Sequence, residues 1–483
     1  MSALHPSTAP HAPQSRRRFL RTSSLASLAA GLSQVWRWRA ASATPVASPP
    51  DTAVILVWLT GGLSHLDTYD LKPHAPQEYR GDFFPIATQV PGIEVGELLP
   101  GHARVADRFS LIRSVSHGFA DHDGAHKRVL TGRVPKSAVG FVNDAPSVGC
   151  IVNRVREGLR PEMLTFTSGQ RADTNADSYS QGAGYLGKSY EPFLVGGNPA
   201  EENWAVPNLS IVPELAPRME DRRQLLAGFD RIRRQLDREE RLTASDHFQQ
   251  KAFGLLTSDA ARRAFDISLE DPALRDRYGR NPYGQQALLA RRLVEAGTSF
   301  ANVVMEHPGG ASPRDTVYNW DCHAVNCHVF NDARWRFPPF DQAVSALIED
   351  LWARGLEKQV LLVVMGEFGH TPRICYQVGT GTGVMQPGRD HWPQAMSILV
   401  SGGGLQMGQV VGSTNRLGEL PQARPLSPND LWATVYRHLG IDTQQAFADH
   451  AGRPLPILPD GEPIRELIHG EWSPSQGRGR GGH

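Results

Sequence analysis

Val54-Ile55-Leu56-Val57-Trp58-Leu59-Thr60-Gly61-Gly62-Leu63-Ser64-His65-Leu66-Asp67-Thr68-Tyr69-Asp70 changes character halfway along. Its first half is an unbroken apolar run, the pattern of a parallel strand covered on both faces by helices. Its second half is glycine, hydroxyl, imidazole and carboxylate. Ligands in open α/β sheets bind just beyond the carboxyl ends of strands. The stretch therefore predicts a central strand that delivers Ser64, His65, Asp67 and Asp70 to a working edge. Gly61-Gly62 fits either a turn or a close backbone approach to a ligand.

The rest of the chain extends this pattern. Phe109 to Val115, Met163 to Phe166, Phe300 to Met305, Gln359 to Met365 and Ala395 to Val400 also read as strands. Ser147 to Val155, Gln286 to Ala296 and Phe340 to Ala353 read as helices, and residues 217–297 as three or so helices. Ser427-Pro428-Asn429-Asp430 begins a last helix, with a serine cap and proline in the first turn. Strands alternating with helices predict a three-layer α/β/α sandwich around a mostly parallel sheet, one domain over residues 44–483. Residues 168–200 lack periodicity and read as a functional or mobile loop. The Gly/Arg-rich tail from about residue 476 reads as disordered.

Composition narrows the function. Of 483 residues, 50 are Lys or Arg and 50 are Asp or Glu, so no charge excess points to nucleic acid or an anionic membrane. Ser15-Arg16-Arg17-Arg18-Phe19-Leu20-Arg21 resembles a twin-arginine export motif. A weakly apolar segment and Ala41-Ser42-Ala43 follow, too short and polar for a lasting membrane span. Residues 1–43 thus read as a signal peptide recognised by the twin-arginine translocase, giving a periplasmic or secreted protein. A disordered basic N-terminus is the alternative. The four cysteines are too few for a disulfide framework. Cys322 and Cys327 bracket a histidine-rich stretch and remain open to three readings: buried thiols, one bridge, or zinc ligation.

Four clusters carry the chemistry. They are Ser64-His65 with Asp67; His117, Asp121, His122, Asp123 and His126; Asp321-Cys322-His323 with His328; and Glu367 with His370, followed by Arg389-Asp390-His391. Each follows a strand or lies in a polar loop. Imidazole and carboxylate together are what divalent metals such as zinc or manganese require. Two such ions about 3.5–4 Å apart would clamp a phosphoryl or sulfuryl displacement. His122 and His126, four residues apart, can share one helical face and one ion, or simply a solvated face. Glu367 ends the most apolar strand, where a carboxylate is costly unless it pairs or ligates. There is no Gly-x-Ser-x-Gly elbow and no phosphate loop followed by lysine.

The segments Gly61 to Asp70, Asp121 to Gly132, Gly366-Glu367-Phe368-Gly369-His370-Thr371-Pro372-Arg373 and Gly388-Arg389-Asp390-His391-Trp392-Pro393 together resemble the DUF1501 family. These are secreted sulfatase-like proteins of unknown function in the alkaline phosphatase and sulfatase superfamily. The resemblance implies an alkaline phosphatase-like fold and a centre of one or two divalent metals (zinc, manganese, calcium or magnesium). It also implies hydrolysis of small-molecule or glycan sulfate or phosphate esters. Leu130-Thr131-Gly132-Arg133 is similar to the end of the sulfatase nucleophile helix, and the nucleophile position then falls on His122 instead of Cys, Ser or Thr. The aspartate expected from the opening strand falls at Gly61 or Gly62, leaving His65 or Asp67 to substitute. The resemblance implies Asp321, His323 and His391 around one metal, and His65, Asp67 and Glu367 around a second or orienting the first. His122 and His126 would face the substrate oxyanion, and Ser64, Arg373 and Arg389 would contact an anionic group. The attacking group would be a metal-held hydroxide or His122 itself. A non-catalytic binding or surface-assembly protein on the same scaffold is the alternative.

Overall fold

The opening strand is the middle of the sheet. A computed structural model describes residues 51–140, 143–160, 163–169, 181–206 and 258–469. Strand β1 (Ala53–Trp58) has every residue buried. Seven more strands complete its sheet: β2 (Ser110–Val115), β3 (Phe166–Gly169), β4 (Phe193–Val195), β5 (Phe300–Val304), β6 (Val360–Met365), β7 (Met396–Gly402) and β8 (Val410–Val411). Their order is β8-β2-β7-β6-β1-β5-β3-β4. β1 runs parallel to β5 and β6, with Leu56 opposite both Asn302 and Val363. β7 is antiparallel to both its neighbours, and the other pairings are parallel. The mostly parallel sheet is as expected; the reversal of β7 is not visible in its apolar sequence.

Alternation along β1 divides the core. Ile55 and Val57 face helices α5 (Pro282–Ala296) and α6 (Val329–Ala353), packing with Leu288, Phe340, Val344 and Leu347. Val54, Leu56 and Trp58 face the other way. They pack with α1 (His122–Thr131), α2 (Val148–Val155) and α7 (Pro428–His438) through Val129, Ile151 and Trp432. This is the three-layer sandwich. Two further helices, α3 (Asp259–Phe265) and α4 (Pro272–Tyr278), precede α5, so the described part of the expected helical segment holds three helices. Residues 217–257, the export segment and the tail lie outside the described residues. Among the described residues no helix is long and apolar enough to cross a membrane.

Three expectations shift. The strand expected at Met163 begins at Phe166. The helix expected from Phe340 starts at Val329 and continues through Pro338 and Pro339. Its buried face is continuous across the prolines, so tertiary packing overrides their local cost. Finally, β1 does not extend through Ser64. Gly61 and Gly62 take positive φ values of 94° and 85°, and His65–Thr68 closes a short helical turn. The period-two alternation that would aim His65 and Asp67 to one side stops there.

Candidate metal centre

The centre assembles at the edge where the parallel strands end and the reversed β7 begins. Helix α1 supplies His122 and His126. Asp121 caps it, accepting from the Gly124 amide at 2.7 Å, and Gly132 ends it in a left-handed conformation. Trp432 of α7 donates its indole N–H to the Val129 carbonyl, fixing the helix from outside. Glu367 follows β6, and the loop after β5 brings Asp321 and His323. His391 precedes β7 in a two-residue ladder with His370. The Trp320 amide donates to the Thr60 carbonyl at 2.8 Å, tying the Asp321 loop to the end of β1. A Cβ on Gly61 would lie 2.4 Å from the Asp321 nitrogen, so only glycine permits this approach.

Six of the expected residues converge. Glu367 is fully buried, and its Oε1 accepts from the Gly61 amide at 2.7 Å. The same oxygen lies 3.0 Å from His122 Nδ1 and 3.5 Å from His126 Nε2. The other nitrogen of His122, Nε2, lies 3.4 Å from Asp321 Oδ2. Asp321 Oδ1 is 2.8 Å from both His323 Nε2 and His391 Nε2. Thus His122, His126 and Glu367 form one group able to hold a cation, and His122, Asp321 and His391 another.

The donor chemistry around Asp321 fits a metal. His391 Nδ1 lies 2.6 Å from the Ala120 carbonyl oxygen, which can only accept. That nitrogen therefore carries the proton, and the neutral ring presents a lone pair at Nε2. His323 Nδ1 donates in the same way to Asp390 Oδ1 at 2.6 Å. The two Nε2 atoms stand 3.0 Å apart with Asp321 Oδ1 beside them. Three lone pairs facing one another repel unless a cation, either a proton or a metal ion, lies among them. An outer carboxylate or carbonyl fixing each ligating imidazole is the usual support of such sites.

Without metal, protons hold the cluster. Burial pushes His122 down, but its hydrogen bonds to Asp321 and Glu367 outweigh this and raise it to about 10. The hydrogen bond to Asp321 raises His323 to about 9, against burial and with help from Asp390. Burial would raise Asp321, yet hydrogen bonds from His122, His323 and His391 hold it far below the usual carboxylate range. Metal binding therefore has to displace protons.

Four expected site residues do other work. His65 is buried with Nε2 donating to the Gly418 carbonyl at 2.8 Å. Asp67 is buried against Arg389, whose Nε donates to Asp67 Oδ2 at 2.9 Å, and the Ser64 hydroxyl donates to the same carboxylate. The remaining Arg389 nitrogens donate to the carbonyls of Thr371, Pro372 and Tyr79. Ser64, His65, Asp67 and Arg389 thus make interior framework contacts and lie outside the groups able to hold a cation among the described residues. The turn at Gly61-Gly62 buried them. Arg373 is exposed on the loop after His370.

Two residues named within the four clusters but given no site role also contribute. Asp390 looked weaker than His391 because adjacent residues seldom both point inward, yet it is the carboxylate that orients His323. His117 donates from Nε2 to the Glu367 carbonyl at 2.7 Å, steadying the loop that carries Glu367. A carboxylate beside His391 was the signal for the first, and a histidine just past the Phe109 to Val115 strand for the second. Cys322 and Cys327 are free buried thiols grouped with Asp332. Asp332 already accepts from Arg336 Nε and Nη2 at 2.7 and 2.9 Å, so its carboxylate is committed elsewhere.

A family model described as "Protein of unknown function (DUF1501)" matches residues 51–468. No curated protein matches the chain. Among solved structures, the phosphonate monoester hydrolase SpPMH from Silicibacter pomeroyi is similar at 11% identity and TM-score 0.39, covering 88% of this chain and 78% of that one. A variant of TAB5 alkaline phosphatase with Mg bound shares 12% identity at TM-score 0.35, over 75% of this chain and 94% of that one. The PsFucS1 sulfatase from Pseudoalteromonas sp. shares 12% identity at TM-score 0.32, over 81% and 68%. The family match runs from β1 through every residue of the metal centre, and the chain belongs to the DUF1501 family.

Proposed function

We propose that this protein is a metal-dependent hydrolase of sulfate or phosphate esters of small molecules or glycans, exported through the twin-arginine route. The observation that carries the reading is the convergence of Asp321 Oδ1, His323 Nε2 and His391 Nε2 within 3.0 Å of one another, with His122 beside them. These three residues would hold the ion, and a donor set of two imidazoles and a carboxylate favours zinc or manganese over calcium or magnesium. A bound divalent ion would neutralise charge on the ester's oxyanion. Glu367 anchors His122 Nδ1 and leaves Nε2 facing the centre, so Nε2 is placed to move a proton at the ester oxygen. His126 supports Glu367 from the other side. Arg373, exposed on the loop after His370, would meet an anionic part of the substrate.

The test is metal content together with turnover. Purified protein should carry stoichiometric zinc or manganese and cleave aryl sulfate, aryl phosphate or an aryl phosphodiester, and His391→Ala should lose both. Protein that acquires no stoichiometric metal overturns the reading. Histidine at the nucleophile position favours a second reading, a binding module on the same scaffold. Full metal with no turnover across that panel would select it.

A further inference from the structure

Helix α1 has a second polar face. Its period of 3.6 residues puts Lys127, Arg128 and Thr131 on the side opposite His122 and His126. That outer face lines a cavity of about 710 Å³ together with residues 133–136 and 143–145, Asp449, Arg453 and Asp460, and Asn429 at the start of α7. The volume is within the range of small-molecule sites.

The cavity wall carries more cations than carboxylates: Lys127, Arg128, Arg133, Lys136 and Arg453 against Asp144, Asp449 and Asp460. Lys127 is only 3% exposed, and its ammonium meets one neutral oxygen, the Ser137 carbonyl at 3.3 Å. Arg128 donates to the neutral Asn429 Oδ1 at 2.7 Å, and Arg133 to the Pro456 carbonyl. Among the described residues no carboxylate comes within ion-pair distance of these three cations. Of the acids on the wall, Asp449 pairs with Arg453 at 2.7 Å; Asp460 and Asp144 accept from neutral amides of Asn429 and Lys136, and Asp460, with Asp430, acts on Arg128 from beyond ion-pair distance, leaving Lys127 and Arg133 without a paired carboxylate among the described residues. Cations near a helix C-terminus are favourable at the surface. That does not offset burying an ammonium with a single neutral carbonyl, which is costly unless a counter-anion completes it.

We infer that this cavity is a binding site for a small oxyanion-bearing ligand, a sulfate or phosphate ester or the free anion, held by Lys127 and Arg133 and separate from the metal centre. Binding there would stabilise the face of α1 that backs the metal ligands. The inference does not depend on catalysis.

The test uses thermal melting of the full-length protein with inorganic phosphate, inorganic sulfate or a sulfated oligosaccharide, each against sodium chloride of equal ionic strength. The melting temperature should rise with the oxyanion and saturate. The rise should persist in His391→Ala, whose metal centre is disabled, and disappear in Arg133→Gln and Lys127→Met. Without oxyanion, Lys127→Met should melt at or above the wild type; with saturating oxyanion the order should reverse. A shift reproduced by chloride, one lost in His391→Ala, or one equal in wild type and both cavity variants overturns the site. So does a Lys127→Met protein destabilised to the same extent with and without oxyanion. A free anion as strong as the oligosaccharide marks the oxyanion itself as the ligand, whereas a stronger oligosaccharide marks a glycan ester; either supports the site. Failure here leaves the hydrolase reading standing, and absence of metal leaves this one standing.

Discussion

Replacing Arg389 with methionine tests whether this arginine is framework or substrate contact. Its guanidinium is fully buried, against an Asp67 carboxylate only 2% exposed. It donates to that carboxylate at 2.9 Å and also to three backbone carbonyls. Methionine fills similar space but strands Asp67 as a buried charge. Breaking a buried pair in this way costs about 3–5 kcal/mol, and each carbonyl that loses its donor adds about 1 kcal/mol before water or relaxation compensates. A net loss of about 5 kcal/mol is expected, a large share of a typical domain stability of about 5–15 kcal/mol. Urea unfolding followed by tryptophan fluorescence measures it. Asp67→Asn combined with Arg389→Met should cost less than the two single changes added, by about 2 kcal/mol, because the stranded charge is gone. Arg389→Met losing less than about 1 kcal/mol would refute the framework assignment. So would strictly additive single and double variants.

Asp390→Asn should weaken metal binding by about 10–100-fold with little change in the melting temperature of the metal-free protein, because it loosens the His323 ring without removing a ligand; chelator competition reads this. Gly61→Ala places a Cβ against the Asp321 nitrogen at a φ of 94° and should cost about 1–3 kcal/mol while lowering metal content. Unchanged stability would show that the Asp321 loop is not pinned there. Burial pushes His370 down to about 4 from 6.5, with its Nε2 donating to the Gly61 carbonyl at 2.8 Å. Its neutral form is built into the fold, so this contribution is complete above pH 6.5 and is lost as pH falls toward 4, about 3 kcal/mol in all. Between pH 6.5 and 4, metal-free wild type should therefore lose that much more stability than His370→Gln, and parallel pH profiles would count against it.

The sequence by itself determined the layers and the residue types of the candidate site. β1 and β6 are legible because a strand covered on both faces is apolar at every position, and their short length and valine and isoleucine content favour a strand over a buried helix segment. The cap at Ser427 is legible because a helix start leaves amides that a nearby side chain satisfies. Glu367 stood out because a carboxylate ending an apolar strand is costly unless used, and Asp321, His323 and His391 because they cluster in polar segments that resemble the family's. Only the tertiary structure decided which of these residues meet. β7 is reversed because strand direction depends on pairing partners, which its own side chains do not encode, and that reversal brings His391 to the edge where the parallel strands end. The opening stretch shows the same division. Its apolar half forms the central strand as read. Past it, two glycines at positive φ fold Ser64, His65 and Asp67 into the interior, because Asp321 and Phe368 approach too closely for any side chain at those positions.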